Sequence, residues 1–194
     1  MGKLSKTKGG AYERKMCVSL SIWASGGAQE DYYWRSAMSG GRATLQSRKG
    51  RTAQAVHHAG DMVCTNAEGA FLLDLFQIEF KSYADFFFER LAHGKDGRME
   101  ALWSPLIRQS AVFNKLPLLI GKQDGQTDHV MVTKASLDLL HRCTAEPLPV
   151  TAHFPLWDCY VFKYRAFLLQ VLPSRMREIA AGFASTQRRR RSLF

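Results

Sequence analysis

Apolar residues first recur at helical spacing over residues 11–24, where Met16, Leu20 and Trp23 stand at i, i+4 and i+7. From Ser25 to Gly60 the periodicity dissolves into Gly, Ser and Arg. Within it, Tyr32, Tyr33 and Trp34 form one short candidate strand, and the remainder reads as a long basic loop. Residues 61–65 and 71–81 read as two strands, and the turn-like Asn66, Ala67, Glu68 and Gly69 between them predicts a hairpin. Ser82 with Asp85 three residues on has the pattern of a capping box, predicting a helix that carries Phe86, Phe87 and Leu91 and ends near Gly94. Ser104 before Pro105 predicts a second helix start, leading into Leu106, Ile107, Gln109 and Phe113. Strands follow at 117–121 and 129–133, then a helical pattern at 135–142, a candidate strand at 159–162 and an ambiguous apolar stretch at 164–172. Helices and strands interleave without an internal repeat, which predicts an α/β fold.

Length allows one full core rather than two. Hydrophobic residues make up 46% of the 194, enough to build it, while 27 Lys and Arg against 17 Asp and Glu leave a net charge of +10. The basic groups cluster: Lys3, Lys6 and Lys8 at the start, Arg42, Arg48, Lys49 and Arg51 in the long loop, and Arg188 to Arg191 at the end. That distribution suits a polyanion, nucleic acid above all. No apolar run approaches the roughly 20 residues of a spanning helix and no signal-peptide pattern opens the chain, so a soluble, cytoplasmic protein without a membrane partner is expected. The cysteines Cys17, Cys64, Cys143 and Cys159 form no CxxC pair, favouring reduced, mostly buried thiols over disulfides. A zinc site would have only His57, His58 and Cys64 to draw on.

The run Leu75, Phe76, Gln77, Ile78, Glu79, Phe80, Lys81 carries the candidate chemistry. On a strand, Glu79 and Lys81 share one face while Ile78 and Phe80 enter the core. If Asp61 begins the partner strand, its carboxylate comes close to Glu79, and two clustered carboxylates suit a hard divalent cation such as Mg²⁺. Such a cation holds a phosphate oxygen and acidifies a water, with Lys81 orienting the water. Taken alone, the Glu-x-Lys triplet is equally well a solvated strand face. Glu13 lies on the edge of the first helix's apolar stripe, where a carboxylate needs a metal, a bound water or a basic group, unless the helix dipole alone favours it. Gln109 interrupts the stripe of Leu106 and Phe113, so its amide is aimed at the sheet or engaged in a local hydrogen bond. The segment Arg35, Ser36, Ala37, Met38, Ser39, Gly40, Gly41, Arg42 has the composition to wrap a phosphate.

In this order, the pieces resemble the PD-(D/E)xK nucleases, and more closely the archaeal Holliday-junction resolvases and the phage-encoded endonucleases of that superfamily. The resemblance begins with Gly9, Gly10, Ala11, Tyr12, Glu13, Arg14 and continues through Arg35 and Ser39, Gly40. It takes in Gly60, Asp61, Met62, Val63 and Ile78, Glu79, Phe80, Lys81, then Gln109 and Leu118, Leu119, Ile120. It implies a restriction-endonuclease-like core: a central mixed β-sheet flanked by helices. It also implies that Asp61, Glu79 and the Phe80 backbone carbonyl ligate Mg²⁺, with Mn²⁺ able to substitute, that Glu13 completes the metal environment, through water if not directly, and that Lys81 assists the nucleophilic water. Arg35 and Ser39 match residues that contact the scissile phosphate, with Arg14 and Arg42 as further candidate contacts, and Gln109 matches a helix glutamine facing the active site.

The expected organisation is a flexible basic start (1–8), a nuclease core (9–133), a C-terminal extension packed on it (134–184) and a basic tail (185–194) that is disordered in isolation. The stretch 41–59 is longer and more basic than in compact resolvases, and residues beyond 133 have no counterpart in the resemblance. The expected function is Mg²⁺-dependent endonucleolytic hydrolysis of DNA, branched or duplex, in a bacterial host cytoplasm if the chain is phage-encoded. A homodimer is inherited from the resolvase likeness rather than read from any face of the sequence. The alternatives are a restriction-like or nicking nuclease, and a catalytically silent nucleic-acid-binding protein on the same scaffold. An enzyme acting on small acidic molecules ranks last, for want of a Gly-rich nucleotide loop.

Overall fold

The computed structural model describes residues 3–36, 60–83 and 98–191. Helix α1 (Lys3–Ala24) begins eight residues before the expected start. Its buried face is Tyr12, Met16, Cys17, Leu20, Trp23 and Ala24, which extends the anticipated stripe. Ser21, also buried on this helix, donates to the Cys17 carbonyl (2.8 Å) and accepts from the Tyr33 backbone N–H (2.9 Å), tying α1 to the next element.

That element is β1 (Tyr33–Arg35), and it pairs antiparallel with β2 (Met62–Cys64), placing Arg35 opposite Met62. The expected hairpin of 61–65 with 71–81 is therefore not formed. Asn66 accepts the Glu68 N–H and caps a 3₁₀ turn (Ala67–Gly69), and helix α2 (Ala70–Leu75) follows it. Phe71, Leu72 and Leu75 are buried while Asp74 is exposed, a helical face that a contiguous apolar run conceals in the sequence. Only β3 (Phe76–Tyr83) is extended, and it runs on through Ser82, the residue expected to cap a helix. The helix expected to carry Phe86, Phe87 and Leu91 falls outside the described residues.

Helix α3 (Arg98–Val112) starts six residues before Ser104 and contains Pro105 in its interior, so the anticipated Ser-Pro start is corrected. Proline lacks the N–H that would bond the Ala101 carbonyl, yet Trp103, Leu106 and Ser110 bury a face broad enough to hold the helix through it. Strand β4 (Leu116–Gln123) is longer than expected and β5 (His129–Val132) one residue shorter, because Thr133 caps the helix that follows, α4 (Lys134–His141). Strand β6 (Val150–Phe154) was not anticipated. Strand β7 (Cys159–Lys163) was, and the ambiguous stretch after it is helix α5 (Tyr164–Gln170). Helix α6 (Pro173–Arg191) runs into most of the segment expected to be a disordered tail, where Gln187 and Arg188 to Arg191 are good helix formers.

The main sheet has the order β3-β4-β5-β7-β6, with β3 and β4 parallel and the other pairs antiparallel. It is mixed and flanked by helices on both faces, the α/β arrangement expected. Segment 134–184 supplies two of its strands, so it is built into the core. Ile78, Phe80, Leu118, Ile120, Val130, Val132 and Phe162 share one core with α1, α2, α4 and α5 on one side, and α6 packs on α2. Leu119, Met131, Val161 and Cys159 meet Trp103 and Leu106 of α3 on the other. Each fully buried apolar side chain of this size contributes about 1.5–3 kcal/mol. Among the described residues no helix is long and apolar enough to cross a membrane. The four cysteines are free, three of them buried.

The β1–β2 ribbon meets the edge of β3 at one point. Gly60 has φ +90°, and a Cβ placed there would lie 2.5 Å from the Ile78 carbonyl oxygen. Gly60→Ala combines a disfavoured backbone with a backbone clash, and is expected to destabilise the fold by about 2 kcal/mol or more. Chemical denaturation measures this; an alanine variant as stable as the parent would refute the close approach.

Candidate active site

Strand alternation turns Gln77, Glu79 and Lys81 to the α3 side of the sheet, opposite Ile78 and Phe80. Asp61, the residue before β2, is held against this strand by two hydrogen bonds. Its backbone N–H donates to the Ile78 carbonyl (3.0 Å), and its Oδ2 accepts the Phe80 N–H (2.8 Å). A strand residue sends its N–H and C=O to the same side, so the Phe80 carbonyl also faces Asp61 rather than β4.

Lys81 links the two carboxylates. Its Nζ lies 2.8 Å from Glu79 Oε2 and 3.8 Å from Asp61 Oδ2. Asp61 is only 2% exposed, so the pair of acids sits largely out of water. Burial pushes the Glu79 carboxyl up to about 7, Asp61 adds to the rise, and Lys81 partly offsets it. For Lys81 burial acts to lower the pKa, but the two carboxylates outweigh it and the net direction is upward. The arrangement is a pair of buried acids with one internal cation.

Glu13 meets a basic group, one of the three partners its position demanded: its carboxylate pairs with Arg35. The pair lies beside the acids, because the Ser36 N–H donates to the Asp61 carbonyl (2.8 Å). Arg14 is exposed on α1. Its guanidinium and that of Arg35 both converge on Gly10, where an added Cβ would come within 3.7 Å of the first and 3.4 Å of the second. Gln109 accepts a hydrogen bond from Gln77 Nε2 (2.8 Å) and, with Glu79, Lys81, Leu102, Pro105 and Leu106, lines a pocket of about 220 Å³ between β3 and α3. Ser39 and Arg42 fall outside the described residues. Among the described residues, no three His, Cys, Asp or Glu side chains are grouped to hold a metal. The oxygen donors at hand are Asp61, Glu79 and the Phe80 carbonyl.

Sequence reasoning missed Gln77, although the i, i+2, i+4 alternation of Gln77, Glu79 and Lys81 signals it. It also missed the wall made by Leu102 and Pro105, because the helix was started too late. A larger cavity, about 840 Å³, lies away from these groups, among α1, α2 and α6, where Arg177 sits over the Phe71 ring.

The raised Glu79 pKa has a signed consequence. The folded value lies above the ordinary 4.5, so ionising Glu79 weakens the fold, and its effect grows from about pH 4.5 and levels off above about pH 7. In chelator, the melting temperature of wild type relative to Glu79→Gln is expected to fall as pH rises through that window. Parallel curves for the two proteins would contradict the buried-acid assignment.

The family described as phage putative PDDEXK endonuclease matches residues 4–163. No curated protein and no solved structure matches the chain. The match runs beyond residue 133 to take in β6 and β7, and it includes every candidate residue from Glu13 to Gln109. That match spans most of the chain, and the chain belongs to the phage PD-(D/E)xK endonuclease family.

Proposed function

We propose that the protein is a divalent-metal-dependent deoxyribonuclease that hydrolyses phosphodiester bonds in DNA, selecting branched structures such as four-way junctions. The observation that carries this reading is the convergence of the two buried carboxylates of Asp61 and Glu79 on a single lysine. Adjacent buried acids require a cation, and carboxylate and carbonyl oxygens are the donors that Mg²⁺ or Mn²⁺ prefers. Asp61, Glu79 and the Phe80 carbonyl therefore fit as the metal-holding set.

When bound, the cation supplies Lewis-acid polarisation of the phosphodiester and a more acidic water. Asp61 keeps its position throughout, because the Phe80 and Ile78 backbone bonds fix it. Lys81, released from its role as internal counter-charge, orients the attacking water and faces the charge that gathers on the phosphate oxygens. Water adds at phosphorus and gives up a proton to solvent, one P–O ester bond breaks, and the departing alkoxide takes up a proton from solvent. Arg35, with Ser39 of the basic loop, contacts the scissile phosphate, and Arg14, which meets Arg35 at Gly10, and Arg42 add further phosphate contacts. Glu13 keeps Arg35 in place and reaches the metal environment through water. The net charge of +10 favours a backbone-reading substrate surface, as structure selection requires. A homodimer would give the paired cuts a four-way junction needs.

Labelled four-way junction, flap, linear duplex and single-stranded DNA, each with Mg²⁺, Mn²⁺ or chelator, test chemistry and substrate together. The expected result is paired nicks in the junction that vanish with chelator. Asp61→Ala, Glu79→Ala and Lys81→Ala should abolish cutting while binding persists. Cutting in chelator, or by either carboxylate variant, would overturn the assignment, and equal cutting of all four substrates would overturn structure selection.

A further inference from the structure

Gln77 is fully buried on the same strand face as Glu79 and Lys81. Its Nε2 donates to Gln109 Oε1 at 2.8 Å, and its own Oε1 is buried without a partner among the described residues. An unmet buried acceptor costs about 1–3 kcal/mol, so an apolar residue at this position would be the better choice for stability. The hydrogen bond settles which end of the Gln109 amide is used up. With Oε1 occupied by Gln77, the NH₂ group is the end left for the pocket that Gln109 shares with Glu79 and Lys81. Reversing both amides would put the Gln77 NH₂, with its two hydrogens, where a single unmet oxygen now lies, and unmet buried donors are rarer than under-used carbonyls.

We infer that Gln77 is a positioning residue: it holds the Gln109 amide with its NH₂ turned to the catalytic pocket, so that Gln109 offers a hydrogen-bond donor to an anionic oxygen of the substrate phosphate. This rests on the phosphodiesterase reading above. Without Gln77, the Gln109 amide rotates freely and presents its carbonyl, which repels that oxygen, for part of the time. Strand β3 then contributes three residues to one line: Glu79 and Lys81 act at the centre, and Gln77 acts through a helix.

The test is a double-mutant cycle of Gln77→Met and Gln109→Met, read as kcat and KM for junction cleavage. Gln77→Met is expected to lower kcat roughly tenfold, within what loss of one transition-state donor costs, with KM little changed. In the Gln109→Met background it should lower kcat no further, because its effect passes through that amide. Full kcat in Gln77→Met, or effects that multiply, would overturn the inference. A second measurement needs neither cleavage nor a change at the buried position. In protein carrying ¹⁵N in its glutamine side chains, the bonded Gln77 amide proton is expected to move upfield in Gln109→Met, and an unmoved signal would overturn the pairing. If the wild type cuts no DNA, the nuclease reading fails, while this signal still decides whether Gln77 holds Gln109.

Discussion

Two hydrogen bonds between Asp61 and the edge of β3 hold the rest of the site in place. One joins main chain to main chain and the other gives a strand N–H to a carboxylate oxygen, so the acid is fixed in both position and rotamer. Everything nearby follows from that attachment. The β1–β2 ribbon has a defined seat on the sheet, Ser36 bonds to the Asp61 carbonyl, and Arg35 is presented to Glu13. A carboxylate so fixed cannot swing away from its neighbour when both are ionised. The repulsion has to be met by a cation, which here is Lys81.

Such geometry lowers the reorganisation needed during a reaction. The acids already face each other, the lysine is already drawn between them, and the amide of Gln109 is already oriented from behind. Preorganised polar groups in a partly dry pocket act more strongly than the same groups in water. Their cost is local instability, seen in the raised Glu79 pKa and the unmet Gln77 oxygen. The apolar layers on both faces of the sheet offset it.

Much of this was legible in the sequence where local pattern and tertiary demand coincide. Alternation in 77–81 put Glu79 and Lys81 on one face, and the 3.6-residue stripe of Met16, Leu20 and Trp23 found α1. The reading failed where they diverge. Residues 71–75 are continuously apolar, which suits a buried strand or a short helix equally, and tertiary packing chose the helix. The Ser-Pro pair at 104 and 105 carries a strong local start signal, yet the buried face of α3 overrode it. Pairing of β1 with β2 spans a long separation in sequence that no local pattern encodes. Asp61, Glu79, Lys81 and Gln109 were singled out by type and order, and the structure brings them together. The partnership of Glu13 with Arg35 and the role of Gln77 emerged only from contacts across elements.

The family match ends at Lys163, the last residue of β7, but the packing does not end there. Phe167, Val171, Met176 and Ala180 sit in the main core, and the indole N–H of Trp23 donates to the Val171 carbonyl at 3.0 Å. A segment outside the shared pattern has thus become a wall of the fold rather than an accessory attached to it. A change in that segment is felt by α1, which carries Glu13 near its middle. The distal part of the chain and the candidate site are thereby placed on the same rod, so a displacement at one is carried to the other.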